Sequence, residues 1–233
     1  MSQRTLDQRM LGVGTALTDH TITATDVISF ADVGASNAIK RDTVQGVLDL
    51  AGGGGLVLIK RTVASTASTV EFVHGTSDVV IDNTYDVYMV HILDVNPSTS
   101  LHHRVRITHD AGSNWEDDST DYEATIFGTH QTGGTAAHHL NGGSYLQLTN
   151  ASISKTNAVG GMSCIFYMFH PSNTDSPKFF QWDSATADNT PTFNRSMGAG
   201  IYDGATTAIN GIQFLQDTGT TSGTYSLYGM VIS

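Results

Sequence analysis

The sequence predicts an all-β protein. We expect a jelly-roll-like antiparallel β-sandwich over residues 56–233, preceded by a small N-terminal module over residues 1–55 that contains one short helix. Only 14% of the 233 residues are charged, whereas the exposed faces of helices normally carry many Glu, Lys and Arg. Short runs rich in Thr, Val, Ile, Tyr and Phe alternate with Gly, Asn and Asp, as strands alternate with turns.

The N-terminal module contains the signals of a single helix. Asp42 and Gln45 have the spacing of a capping box, in which an acidic N-cap residue is followed three positions later by Gln. The apolar residues at 44, 47 and 48 then share one helical face, and four glycines at 52–55 end the run. These features predict a helix over about 42–51 and a flexible glycine joint between the two parts.

The second part contains repeated strand signals with turn residues between them. In its last segment, Tyr225, Leu227 and Val231 fall on one face by alternation, so one face of that strand is expected to lie against a core. No exact internal repeat is visible, which argues against a β-propeller. The ten segments begin at residues 55, 68, 86, 102, 122, 144, 162, 178, 211 and 223.

Charge and cysteine content exclude several functions. The net charge is −11 and the 11 Lys and Arg form no basic stripe, which disfavours nucleic-acid binding. No apolar run approaches the roughly 20 residues needed to span a membrane, and the N-terminus does not resemble a signal peptide. The single Cys164 lies in an apolar run, which predicts a buried, unreactive thiol and no disulfide within the chain.

Residues 108–115 have the spacing Ser/Thr-x-Asp-x-Gly-x-x-Trp and so resemble the Asp-box of sialidases and related glycan hydrolases. A sialidase-like propeller needs roughly 4 to 8 blades of about 40 to 50 residues, whereas here the motif occurs once. The resemblance also requires an arginine cluster around a carboxylate, and beyond residue 61 only Arg104, Arg106 and Arg195 remain. We therefore expect no enzymatic activity and no cofactor.

We interpret the Asp-box as a turn that closes a hairpin. Asp110 is expected to accept main-chain N–H groups in the turn, and Gly112 to supply a positive φ angle. Trp115 is expected to fold back onto the sheet.

Two groups of residues raise the possibility of a metal site. Adjacent histidines at 102–103 and 138–139 lie on opposite faces of a strand, so each pair offers one member to a common site. In a homotrimer, one histidine repeated around the axis would give three ligands; the alternative is that these histidines form ordinary hydrogen bonds. The acidic loop 114–123 can be a calcium site or a solvated turn, and it lacks the spacing of an EF-hand.

Four aromatic residues in or beside polar, turn-rich stretches are candidates for contact with a glycan or a protein partner: Trp115, Trp182, Tyr122 and Tyr202. The alternative is that each ring covers one end of the sandwich core.

Two stretches resemble tail-fibre and related appendage proteins of bacteriophages. Residues 26–55 are similar to a small module that precedes a β-rich head in such proteins, and residues 57–233 are similar to a C-terminal β-sandwich ending in Leu-Tyr-Gly. The marks of the module are Phe30, Asp32, Lys40, Arg41, Asp42, Thr43, Val44, Gln45, Gly46, Leu48 and Leu50. Those of the sandwich are Tyr85, Tyr88 and the segments 96–99, 110–113, 209–214 and 222–229.

The resemblance implies a homotrimeric virion protein, assembled in the cytoplasm of the host bacterium, whose N-terminal module serves attachment or trimerisation. Its implied partners are copies of itself, other tail or capsid proteins and a host-surface glycan. The chain lacks heptads and collagen-like triplets, so a short spike, an adaptor or a capsid-decorating head fibre fits better than a long fibre. A carbohydrate-binding module outside a virion is the alternative.

Overall fold

The computed structural model describes residues 27–32, 38–43, 55–155, 161–188 and 192–230. The chain divides into two compact units, Met1–Gly53 and Gly54–Ser233, and the division falls within the run of four glycines.

The described part of the first unit is a pair of antiparallel strands, β1 (Val27–Asp32) and β2 (Ala38–Thr43). Phe30 pairs with Lys40 in this ladder, and Asp42 pairs with Ile28. The helix predicted from Asp42 is therefore wrong at its first two residues, because the main chain of 42–43 belongs to a strand. The remainder of that helix, with Gln45 and Leu48, lies outside the described residues.

The second unit contains twelve strands in its described segments, every pair of them antiparallel. They are β3 (Leu56–Ala67), β4 (Thr69–Val73), β5 (Val87–Pro97), β6 (His103–Thr108), β7 (Tyr122–His130), β8 (Thr135–Asn141), β9 (Leu146–Gln147), β10 (Gly161–Phe169), β11 (Lys178–Ala187), β12 (Phe193–Tyr202), β13 (Gly211–Gln216) and β14 (Thr221–Met230).

These strands form a large and a small sheet. The large sheet has the order β3-β14-β5-β10-β11-β12-β7-β8, and the small sheet has the order β4-β13-β6-β9. The all-β prediction is confirmed, and no helix occurs in the segments that the structure describes. Strands β8 and β12 were not among the predicted segments.

One hydrophobic core lies between the two sheets. The ring of Phe214 in β13 lies 6.0 Å from that of Phe166 in β10 and 5.6 Å from that of Tyr225 in β14, measured between centroids. The connection after β9 extends this cover, because Leu148 and Ile153 are fully buried and the main-chain oxygen of Leu148 accepts a hydrogen bond from the hydroxyl of Ser184. The inward face of the large sheet is thus covered by both a sheet and a loop.

A buried polar chain crosses this core at His103. Gln216 Nε2 donates to His103 Nδ1 at 2.9 Å, so the neutral ring carries its proton on Nε2, 3.2 Å from the Tyr225 hydroxyl. The imidazole also stacks on Phe214 with a centroid distance of 6.0 Å. Burial lowers the pKa of His103 from its ordinary 6.5 to about 3, because the charged ring would lose its hydration.

Trp182 fixes the packing of β11 on β12. The residue is 1% exposed, and its indole lies over the inward face of Gly198. A Cβ atom at Gly198 would come within 2.2 Å of two carbons of the indole ring, so only glycine fits beneath it. This glycine is required by a close approach of a side chain rather than by a turn.

We expect Gly198→Ala to destabilise the protein by about 1–3 kcal/mol or more, because the added methyl group overpacks a buried site beneath Trp182. Urea denaturation of the variant and the wild type measures this difference. Gly134→Ala is the control, since a Cβ there would approach no atom closer than 3.9 Å, and its free energy of unfolding should stay within about 0.5 kcal/mol of the wild type. Equal losses in the two variants would contradict the packing argument.

We expect His103 to make the protein acid-sensitive. When the pH falls below the ordinary pKa of 6.5, His103 becomes protonated in the unfolded chain. In the native state the same ring stays unprotonated down to about pH 3. The contribution of His103 to the free energy of unfolding is therefore complete above pH 6.5. As the pH falls from 6.5 toward 3, it decreases by up to about 1.4 kcal/mol per pH unit.

The measurement is the free energy of unfolding of the wild type and of His103→Gln at pH values from 7 to 4. The stability difference between the two should shrink as the pH falls, because Gln does not titrate. His138→Gln, at an exposed position in β8, should keep the wild-type profile. Parallel profiles for wild type and His103→Gln would show that this residue does not carry the sensitivity.

Candidate functional site

The Asp-box segment joins the two sheets and does not close a hairpin. Strand β6 pairs with β13 and β9 in the small sheet, whereas β7 pairs with β12 and β8 in the large sheet. The predicted hairpin is therefore wrong, because the strands on the two sides of the segment are not hydrogen-bonded to each other. The segment 109–121 is the crossing between the layers.

Within that crossing, the turn has the predicted internal bonds. One oxygen of Asp110 accepts the main-chain N–H of Asn114 at 2.9 Å and the Thr108 hydroxyl at 2.7 Å. The other accepts the Asn114 side-chain amide at 2.6 Å, and Gly112 has a φ of +82°. Hydrogen bonds from Asn114 and Thr108 lower the pKa of Asp110 to about 2. The carboxylate therefore serves the turn.

Three of the four aromatic candidates are core residues. Trp182, Tyr122 and Tyr202 are exposed by 1%, 0% and 2%, so no sugar can stack on them, and the prediction of a contact site is wrong for all three. The ring centroids of Tyr122 and Tyr202 are 5.3 Å apart, and the Tyr122 hydroxyl donates to the main-chain oxygen of Glu116. Trp115 is half-buried beside Gly112 and alone keeps an exposed part, so its contact role stays a prediction.

The proposed metal ligands are dispersed. His103 is in the core, His102 bonds to Thr149, and His138 lies exposed on β8. In the acidic loop, the carboxylate of Asp121 accepts the main-chain N–H of Asp118, and burial raises the pKa of Asp121. Over the described ranges, no group of three His, Cys, Asp or Glu side chains is placed to hold a metal ion.

Cysteine and lysine often perform covalent chemistry, but Cys164 and Lys178 are both buried. Cys164 is buried, and burial raises the pKa of its thiol, which disfavours the reactive thiolate. Lys178 is 1% exposed, and burial lowers the pKa of its amine. Its Nζ donates to the main-chain oxygens of Asn173 and Thr206, the latter at 2.9 Å, so the ammonium joins two loops.

The outward face of β7, β8, β11 and β12 is the strongest candidate site in the described structure. Three cross-strand rows lie side by side there, read from the strand pairing. We call this surface the β12 trough. Its central row is Gln181, Ala199, Thr125 and His139; one side row is Phe179, Ile201, Glu123 and Asn141; the other is Asp183, Met197, Phe127 and Ala137.

The trough has a low centre and aromatic sides. Two neighbouring depressions of about 410 and 420 Å³ share Thr125 and Ala199, whose small side chains form the floor. Phe179 is 50% exposed on one side, and Phe127 is 42% exposed on the other. Exposed aromatic rings around a depression are typical of a contact surface.

The charges in the trough are largely matched. Arg195 Nε donates to Asp183 at 3.0 Å, and this hydrogen bond raises the pKa of Arg195. Glu123 lies at the rim, and the Thr125 hydroxyl is 3.5 Å from His139 Nδ1. The surface therefore offers hydrogen-bonding groups and apolar rings without a cluster of like charges.

A second apolar surface lies at the opposite end of the large sheet. Strand β3 is an edge strand, and its exposed residues Leu56, Val57, Leu58 and Val63 have exposed fractions of 47%, 45%, 53% and 69%. Sequence reasoning identified this strand but not its exposed apolar side chains.

In the described segments, no helix is both long and apolar enough to cross a membrane.

Comparison of the chain with protein-family models, with curated proteins and with solved structures finds no match.

Proposed function

We propose that this chain is a non-enzymatic structural protein of a tailed-bacteriophage virion. It self-associates as a homotrimer and serves as a short tail fibre, spike or adaptor, with a jelly-roll-like head that contacts the host surface. The resemblance of residues 26–55 and 57–233 to phage appendage proteins supports this proposal. A capsid-decorating head fibre is the alternative within the same class.

The observation that carries the proposal is the apolar edge strand β3. It has 12 residues and pairs on one side only, with β14, in the described structure. Three consecutive apolar side chains, at 56–58, are each about half exposed. A monomeric protein normally blunts such an edge with charges, whereas a closed symmetric assembly covers it with a second copy.

The chemistry of the described residues supports a non-enzymatic role. Three groups with shifted pKa values are used by the fold: Asp110 holds a turn, His103 bonds within the core and Cys164 is buried. Catalytic groups are instead expected at an accessible cleft, beside a partner that activates them.

A second candidate function is a carbohydrate-binding module outside a virion. The β12 trough favours it, because Phe127 and Phe179 present exposed rings beside hydrogen-bonding side chains.

We expect the purified full chain to have three times the 24.8 kDa mass of one chain, measured by light scattering or sedimentation at micromolar concentration. Leu58→Lys and Val63→Lys should each shift the mass toward one chain, because a charge at the edge opposes apolar contact. Phe193→Lys, at a 50% exposed position outside β3, is the matched control and should keep the mass. A monomeric wild-type chain would overturn the proposal.

A truncated chain that starts at Leu56 separates the contributions of the two units. If it is a trimer, the contacts lie in the second unit and the first unit serves as an anchor. If it is a monomer while the full chain is a trimer, the first unit drives assembly.

A further inference from the structure

We propose that the β12 trough binds a neutral oligosaccharide. The proposal names the ligand class for the host-surface contact described above, and in that respect it rests on the proposed function. It places the contact at Phe127 and Phe179, which are exposed on the outward face of the large sheet, and not at the buried Trp182, Tyr122 and Tyr202.

The dimensions of the trough suit an extended ligand. Phe179 pairs with Ile201 and Phe127 pairs with Met197, so the two rings stand on opposite sides of β12 and four residues apart along it. Their Cα atoms are thus separated by about 13 Å along the strands and about 10 Å across them. Between them, Ala199 leaves the floor open. A short oligosaccharide fills such a space better than a single sugar.

The chemistry of the trough matches the two kinds of surface that a sugar presents. A pyranose ring has an apolar C–H face, which packs against an aromatic ring, and a rim of hydroxyl groups, which needs donors and acceptors. Phe127 and Phe179 supply the rings. The central row supplies an amide from Gln181, a hydroxyl from Thr125 and an imidazole from His139.

The charges select a neutral ligand. The guanidinium of Arg195 is bonded to Asp183, and the remaining charged side chain of the trough is Glu123 at its rim. The chain as a whole has a net charge of −11. An acidic sugar would meet a negative surface and would need to displace Asp183 from Arg195, whereas hydroxyl groups need no counter-charge.

A second copy of the chain fits this surface less well. The core of a subunit interface is normally apolar, whereas Gln181, Thr125 and His139 form a polar row across the centre of the trough. The apolar edge strand β3 is four strands away from β11, the nearest strand of the trough, or about 19 Å. The two surfaces can therefore serve an assembly and a ligand at the same time.

The test is the binding of the full chain to an array of neutral and acidic oligosaccharides, followed by titration of the best binder. We expect the wild type to bind a neutral oligosaccharide. Phe179→Ala should weaken binding about tenfold or more, because it removes a stacking ring. Ala199→Phe should do the same by filling the floor, and its outward direction leaves the core unchanged.

Phe193→Ala is the matched control, because Phe193 is also 50% exposed and lies on β12 outside the trough. It should bind like the wild type. Thermal unfolding of each variant checks that the fold is kept, and light scattering of the same samples reports assembly independently of binding.

Several results would overturn the proposal. They are wild-type binding that Phe179→Ala and Ala199→Phe leave unchanged, binding of acidic glycans alone, and no binding at all. A change of mass in Phe179→Ala would make the trough a subunit contact and would also overturn it. None of these decides the structural role, which fails separately if the wild-type chain is a monomer.

Discussion

The contact between aromatic rings across the two sheets is the interaction on which the rest of this structure depends. Phe214 in the small sheet lies against Phe166 and Tyr225 in the large one, and His103 stacks on the same ring. Because the small sheet has four strands and the large one eight, this layer alone cannot cover the large sheet. Leu148 and Ile153 from the long connection after β9 add to the cover. Neither the small sheet nor this connection covers the outward face of the large sheet, where Phe127 and Phe179 are exposed.

Two ionisable groups inside this core, His103 and Lys178, have hydrogen-bond partners that support the packing. His103 stays neutral because the charged ring would lose its hydration on burial, and its two ring nitrogens bond to Gln216 and Tyr225. The Lys178 Nζ donates to main-chain oxygens of two loops. Buried polar groups with partners specify one arrangement of the chain, whereas unpaired ones would destabilise it. These two buried ionisable groups therefore serve the structure of the core.

Composition and strand signals in the sequence were enough to predict the class of fold and most strands, and the Asp-box spacing was enough to predict the bonds of the Asp110 turn. Sequence reasoning failed where the reason lies in a distant residue. Strand β12 was not predicted because Gly198 and Gly200 weaken its strand propensity. The reason for a glycine at 198 becomes visible only in the structure, where Trp182 lies over it. The hairpin prediction at Asp110 failed because the residues of a turn do not determine which strands pair on its two sides. One signal for the trough was present: adjacent Phe179 and Phe180 cannot both face inward.

The two-residue period of β12 separates outward positions, where the side chain can vary, from inward positions, where it cannot. Gly198 and Gly200 face the core, whereas Met197, Ala199 and Ile201 face outward. Substitution at the outward positions can change the exposed surface without disturbing the packing, so under the proposed binding role new specificities can arise one residue at a time. An inserted or deleted residue would exchange the two sets and place Met197 or Ala199 where Gly198 lies beneath Trp182. Over evolutionary time, such a strand should keep its length strictly while its outward residues diversify, and length changes should be confined to the connecting loops.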